Sequence, residues 1–280
     1  MSRAPDFVIL GAMKCGTSTL ATQLRAQPGI FVTDPKEPNY FSDDEVFARG
    51  PDWYASLFAQ TAPGDLAGEA STHYAKLPDH PRAAQRLADA APTARLIYLI
   101  RDPVARAASH LMHDWTQRAM EPPLDAALER HPELVSYGCY GRQMEPWVEA
   151  MGRGAIHVDT LEAMRRDPQA LLERVGRFLG REGLIWSEAR GRENASAERL
   201  RTGRLDGLLL DSAPATWLRR TLVPRALRER AKARRRMAPP EVSAAARARL
   251  EAVFAEDRLR LHALFPGRPD LDAAYPFAAP

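Results

Sequence analysis

The chain has 280 residues, 45% of them hydrophobic, with 39 Lys and Arg against 36 Asp and Glu for a net charge of +3. That is enough apolar material for a sizeable core, and it excludes a disordered or low-complexity chain. Two cysteines, Cys15 and Cys139, suggest neither a disulfide framework nor a zinc site, and no segment approaches the length of a membrane span.

The first element is an apolar run, Phe7-Val8-Ile9-Leu10, that leads into Gly11-Ala12-Met13-Lys14-Cys15-Gly16-Thr17-Ser18-Thr19. It reads as a buried strand, a phosphate-sized loop and a helix start, where unpartnered N–H groups make an anion seat. Gly11 and Gly16 keep the spacing of the nucleotide triphosphatase loop, but Thr17 stands where that loop has its lysine. The loop's only lysine is Lys14, two residues before the second glycine. A triphosphate with Mg²⁺ loses its neutralising cation here, so the loop favours a less charged phosphosulfate that needs no metal.

A turn at Gln27-Pro28-Gly29 precedes the loop Asp34-Pro35-Lys36-Glu37-Pro38-Asn39-Tyr40-Phe41, and Gly68-Glu69-Ala70-Ser71-Thr72-His73-Tyr74 follows. A second buried-strand run, residues 95–100, ends in Arg101-Asp102-Pro103 and passes into helix-like sequence with Ser109 and His110. Residues 154–159 read as a later strand and residues 168–179 as an amphipathic helix. Residues 199–236 are crowded with arginine, and after Pro239-Pro240 residues 241–264 read as a closing helix. Strand alternating with helix predicts an α/β fold: a P-loop-type three-layer α/β/α sandwich on a parallel sheet, covering residues 1–280 as a single domain. The anion loop and Arg101 both follow predicted strands, at the carboxyl ends where the active sites of such sheets lie.

The loop Gly11-x-x-Lys14-x-Gly16-Thr17-Ser18 resembles the 5′-phosphosulfate loop of sulfotransferases that use 3′-phosphoadenosine 5′-phosphosulfate, abbreviated PAPS. That resemblance implies donor binding by Lys14, Cys15, Gly16, Thr17, Ser18 and Thr19, with PAP, the adenosine bisphosphate, as product and no metal required. Arg101 and Ser109 match the family's 3′-phosphate motif, a guanidinium fork and a hydroxyl for one tetrahedral anion. The loop around Glu37 is similar to the stretch of the heparan sulfate N- and 3-O-sulfotransferases that carries a catalytic glutamate before an aromatic pair. The resemblance therefore implies Glu37 as the base for an acceptor hydroxyl or amine and Lys14 as the cation beside the leaving group. Glu69 is a rival base, and the better-known relatives place a lysine where this chain has Ala70. His73 is either an acceptor-positioning group or a packed side chain, and Lys36-Glu37 is alternatively a solvated pair.

The basic stretch 199–240 is expected to be an insertion: a solvated helix face, a flap over nucleotide or acidic acceptor, or, through residues 217–236, a peripheral membrane contact. Residues 192–196 resemble a loop that comes near the nucleotide in many family members. No nucleic-acid partner is expected, because no aromatic stacking series accompanies the charge. The acceptor class spans carbohydrate or glycan, lipid and small metabolite. With neither a secretory signal nor an anchor in the sequence, a cytoplasmic, bacterial-type enzyme is expected. Two other classes compete: a P-loop kinase or triphosphatase, and a non-catalytic basic binding module.

Overall fold

A computed structural model describes residues 4–34, 36–117, 119–120, 123–188 and 242–278. The basic stretch 199–240, its membrane-contact portion 217–236 and the loop 192–196 lie outside the described residues. Five strands form one parallel sheet: β1 (Phe7–Gly11), β2 (Ile30–Val32), β3 (Leu66–Ala70), β4 (Arg95–Ile100) and β5 (Ile156–Thr160), in the order β2-β3-β1-β4-β5. Every residue of β1 is buried, as are the last five of β4. Continuous apolar runs such as these arise because a parallel sheet is covered on both faces.

The covering helices among the described residues are α1 (Thr17–Arg25), α2 (Asp44–Phe47), α3 (Pro51–Ser56), α4 (Ala83–Ala90) and α5 (Pro103–Thr116). They continue with α6 (Leu124–Arg130), α7 (Glu133–Ser136), α8 (Tyr140–Met151), α9 (Leu161–Arg166), α10 (Pro168–Leu179) and α11 (Ala244–Leu264). The helix expected over 168–179 forms with those bounds, its start capped by Asp167, which accepts from the Ala170 N–H at 2.9 Å. None of these helices is long and apolar enough to cross a membrane.

Two elements differ from the sequence expectations, and a third, β3, is a strand whose composition does not predict one. The strand expected over 154–159 begins at Ile156, because residues Arg153–Ala155 close a 3₁₀ turn after Gly152 at φ 78°. The last helix begins at Ala244, where the Ser243 hydroxyl accepts from the Ala246 N–H at 3.0 Å. β3, Leu-Ala-Gly-Glu-Ala, lacks every strong strand former. It forms nonetheless between β1 and β2, and the β1 side chain Phe7 packs over Gly68, where a Cβ would stand 2.2 Å from the ring. Tertiary packing, rather than local preference, makes this strand.

α11 closes the molecule, with Leu250, Phe254 and Leu261 buried along it. Asp257 accepts from the N–H groups of Gly141 (2.7 Å) and Arg142 (2.9 Å), capping the start of α8 from another helix. Gly141 allows this approach, since a Cβ there would meet the α11 backbone at 2.7 Å.

β1 lies between β3 and β4, so the chain leaves it toward one side of the sheet and later returns on the other. Ligand crevices in open α/β sheets form at the carboxyl end of such a switch point. Three segments meet at this end: the loop after β1, residues 71–73 after β3 and Arg101 after β4. The Ala12 N–H bonds the Leu99 carbonyl at 2.7 Å, and the Ser71 N–H bonds the Ile9 carbonyl at 3.1 Å.

Candidate active site

α1 begins without a side-chain cap and without an acidic residue in its first turn. Its first helical bond runs from the Leu20 N–H to the Gly16 carbonyl at 3.1 Å. The N–H groups of residues 17–19 therefore have no partner inside the helix, and the helix dipole adds partial positive charge at this end. Thr17 is buried, whereas Ser18 is exposed. Cys15 contributes shape more than donors: its N–H bonds the Ala12 carbonyl at 3.1 Å, and its thiol is buried against the Tyr140 hydroxyl at 3.6 Å. Burial pushes that thiol up to about 11, so it stays protonated.

Lys14 is half-buried and holds the left-handed conformation at φ 69°. Its carbonyl accepts from Arg101 Nη1 at 3.2 Å, so one hydrogen bond joins the two anion motifs. Arg101 Nε is buried without a partner, an orphaned donor suited to an incoming oxyanion. Asp102 does not neutralise Arg101; its Oδ1 caps α5 by accepting from Val104 (2.9 Å) and Ala105 (3.3 Å), with Pro103 opening the helix. Ser109 stands half-buried nearly two turns along α5.

The loop after β2 brings Glu37 to the same end of the sheet. Its N–H bonds the Ala70 carbonyl at 3.0 Å, and the Asn39 N–H bonds the Ser71 hydroxyl at 3.2 Å. The following aromatic pair is its anchor: Tyr40 stacks on Tyr54 with centroids 4.5 Å apart, and Phe41 packs edge-on against Tyr74 at 5.6 Å. Lys36 Nζ donates to Ser18 Oγ at 2.9 Å and to Glu37 Oε1 at 3.0 Å, bridging the first turn of α1 to the carboxylate. Thr72 Oγ1 donates to the same Oε1 at 3.2 Å. Burial pushes the Glu37 carboxyl up, but Lys36, Lys76 and His73 together outweigh it and hold the group below its ordinary value.

Lys14, Glu37 and Asn39 are the non-glycine residues with positive φ among those described. Backbone held in that region costs on the order of 1–3 kcal/mol and persists only where surrounding contacts over-determine it. Two of the three are side chains that sequence reading singles out for chemistry.

Glu69, the rival base, is fully buried. It accepts from Tyr54 (2.5 Å), Tyr74 (2.8 Å) and Ser71 (2.8 Å) hydroxyls. Burial raises its carboxyl above the ordinary value despite those donors. His73 is part of the same neighbourhood: burial and then Lys76 lower its imidazole, while its bond to Asp43 opposes the change.

Lys36, Thr72 and Lys76 were not foreseen as a group. In sequence Lys36 reads equally as half of a solvated pair, and its reach to Ser18 depends on how β2 returns to the sheet. Lys76, 8% exposed, is a buried cation whose only sequence signal was its nearness to His73.

A family model described as a sulfotransferase domain matches residues 4–200. The chain is 37% identical over 130 residues to the membrane-associated sulfotransferase kil1 of Dictyostelium discoideum, an alignment covering 45% of this chain and 26% of that protein. It is 27% identical over 190 residues to heparan sulfate glucosamine 3-O-sulfotransferase 3B1 of Mus musculus, covering 65% of this chain and 47% of that one. The chain thus spans a quarter to about half of the length of these curated relatives. Among solved structures it is similar to a sulfotransferase from Alicyclobacillus acidocaldarius, with a TM-score of 0.66 and 25% identity over 94% of this chain and 96% of that one.

Proposed function

The chain belongs to the sulfotransferase domain family, and from that premise we propose that it transfers the sulfuryl group of PAPS to an acceptor hydroxyl, with Glu37 as base and Lys14 beside the leaving group. The observation that carries the assignment is the Lys36 bridge, which holds the Glu37 carboxylate one side chain away from the uncapped start of α1. Sulfuryl transfer needs these two features together, an oxyanion seat for the donor and a base for the acceptor.

The acceptor oxygen forms a bond to sulfur as the bond from sulfur to the bridging phosphate oxygen breaks. Glu37 takes the acceptor proton, and the departing PAP keeps the electron pair on that oxygen. The ammonium of Lys14 and the N–H groups of residues 17–19 offset the charge that grows there. Arg101, through its orphaned Nε, and Ser109 hold the 3′-phosphate. Glu69 is unsuited to the base role, because three hydroxyls surround a carboxylate with no exposed surface. The acceptor proposed is a carbohydrate hydroxyl, the class suggested by the heparan sulfate relative.

Thermal stabilisation by PAP, set against Mg-ATP, tests the donor; mass detection of sulfated product from a panel of saccharides tests the transfer. Stabilisation by PAP that is lost in Arg101→Ala is expected. Preferential stabilisation by Mg-ATP, or a Glu37→Gln enzyme with normal turnover, overturns the assignment.

A further inference from the structure

Asp43, His73 and His80 take no part in the proposed sulfuryl chemistry, yet three separate segments bring them to one point. Asp43 ends the base loop and precedes α2, His73 lies in the 3₁₀ turn Thr72–Ala75 after β3, and His80 stands in the turn before α4. We propose that these three side chains bind one divalent zinc-class ion, which clips the base loop to the β3–α4 connection.

The distances match the demands of such an ion. His73 Nδ1 lies 3.2 Å and His80 Nδ1 3.6 Å from the same oxygen, Asp43 Oδ1. Zinc held by nitrogen and oxygen at its usual bond lengths in a tetrahedron has ligand atoms about 3.3 Å apart. The three ligand atoms all lie within 4.8 Å of one another. The imidazoles are stacked, centroids 4.9 Å apart and planes 20° from parallel, so both rings turn Nδ1 toward one carboxylate.

The donor set is also chemically apt. Two imidazole nitrogens and one carboxylate oxygen suit zinc or cobalt, and leave the fourth tetrahedral position to water. Outer contacts fix the ligands: Ser42 Oγ donates to Asp43 Oδ1 at 2.8 Å, orienting the carboxylate. His80 Nδ1 lies 3.3 Å from the Ser42 carbonyl. Ligation therefore moves a ring proton from Nδ1 to Nε2, a change of tautomer that leaves the imidazole neutral. The side chains are 21–30% exposed, which gives an ion a route in from solvent.

The clip adjoins the base, because His73 follows Thr72, the residue that donates to Glu37. Sulfuryl transfer does not use the ion. Binding stands apart from the functional assignment above and is read without turnover.

The test uses the full chain, stripped with chelator and titrated with ZnCl₂ by calorimetry and with CoCl₂ by visible absorption. One ion per chain and the visible bands of tetrahedral cobalt are expected. Loss of even an outer-shell partner weakens metal sites about 10–100-fold, so His80→Ala and Asp43→Asn should each weaken binding by about 100-fold. His157→Ala, at a histidine remote from the cluster, should bind as wild type. Melting in chelator shows whether each variant is folded, and His80→Gln replaces His80→Ala if the latter is not. Absence of the cobalt bands, or equal affinity in wild type, His80→Ala or His80→Gln, and Asp43→Asn, overturns the proposal.

Discussion

Two glutamates at the carboxyl end of the sheet, Glu37 and Glu69, show how surroundings divide one chemistry into two roles. Glu69 is sealed from solvent and bonded by three neutral hydroxyls. Glu37 keeps 31% of its side chain exposed and faces a lysine at 3.0 Å. Burial drives the first carboxyl upward, whereas cations carry the second downward against burial. In the proposed reaction the base must meet its substrate, so access rather than intrinsic basicity favours Glu37.

Exchanging the roles is the hardest test of that contrast. Glu37→Gln should lower kcat by about 10²–10⁴-fold, the usual contribution of a general base, while calorimetry shows PAP binding unchanged. Glu69→Ala should instead lower stability by about 3 kcal/mol or more in urea unfolding, because each stranded hydroxyl costs roughly 1–3 kcal/mol. Were Glu69→Ala as stable as wild type, the hydroxyl cage would not be structural.

Smaller changes sharpen the same contrast. Lys36→Ala removes the nearest cation opposing the effect of burial on Glu37, so the acid limb of the kcat/KM profile should move to higher pH. An unmoved limb would show that Lys36 does not tune the carboxylate. Stability should also bend in opposite senses with pH. The Glu37 contribution is complete above its unfolded value and is lost as pH falls through its lowered folded value. The Glu69 contribution declines as pH rises from its unfolded value through its raised folded one, a slope that Glu69→Gln should flatten. Tyr54→Phe, which removes one donor to Glu69, should cost about 1 kcal/mol and leave kcat unchanged.

The residues proposed for the donor stand close together in sequence, because the elements that carry them are local. Phe7 to Thr19 compresses strand, loop and helix start into consecutive residues, and Arg101 and Ser109 share one strand–helix unit. The acceptor side was harder to read. β3 has a composition unlike a strand and is set by its pairing with β1 and β2, with Phe7 packed over Gly68. Lys36 gains its meaning only from Ser18, which is distant in sequence but adjacent once β2 has returned to the sheet. Asp43, His73 and His80 have no recognisable ligand spacing, because three different turns supply them.

The docking of α11 on α8 carries a lesson for anyone trimming this chain. The family match stops at residue 200, well before Ala244. A truncation there would strip away Leu250, Phe254 and Leu261, buried side chains worth about 1.5–3 kcal/mol each, and would uncap α8 by removing Asp257. The residues proposed for catalysis would all survive such a cut on paper, yet the shortened polypeptide should emerge insoluble.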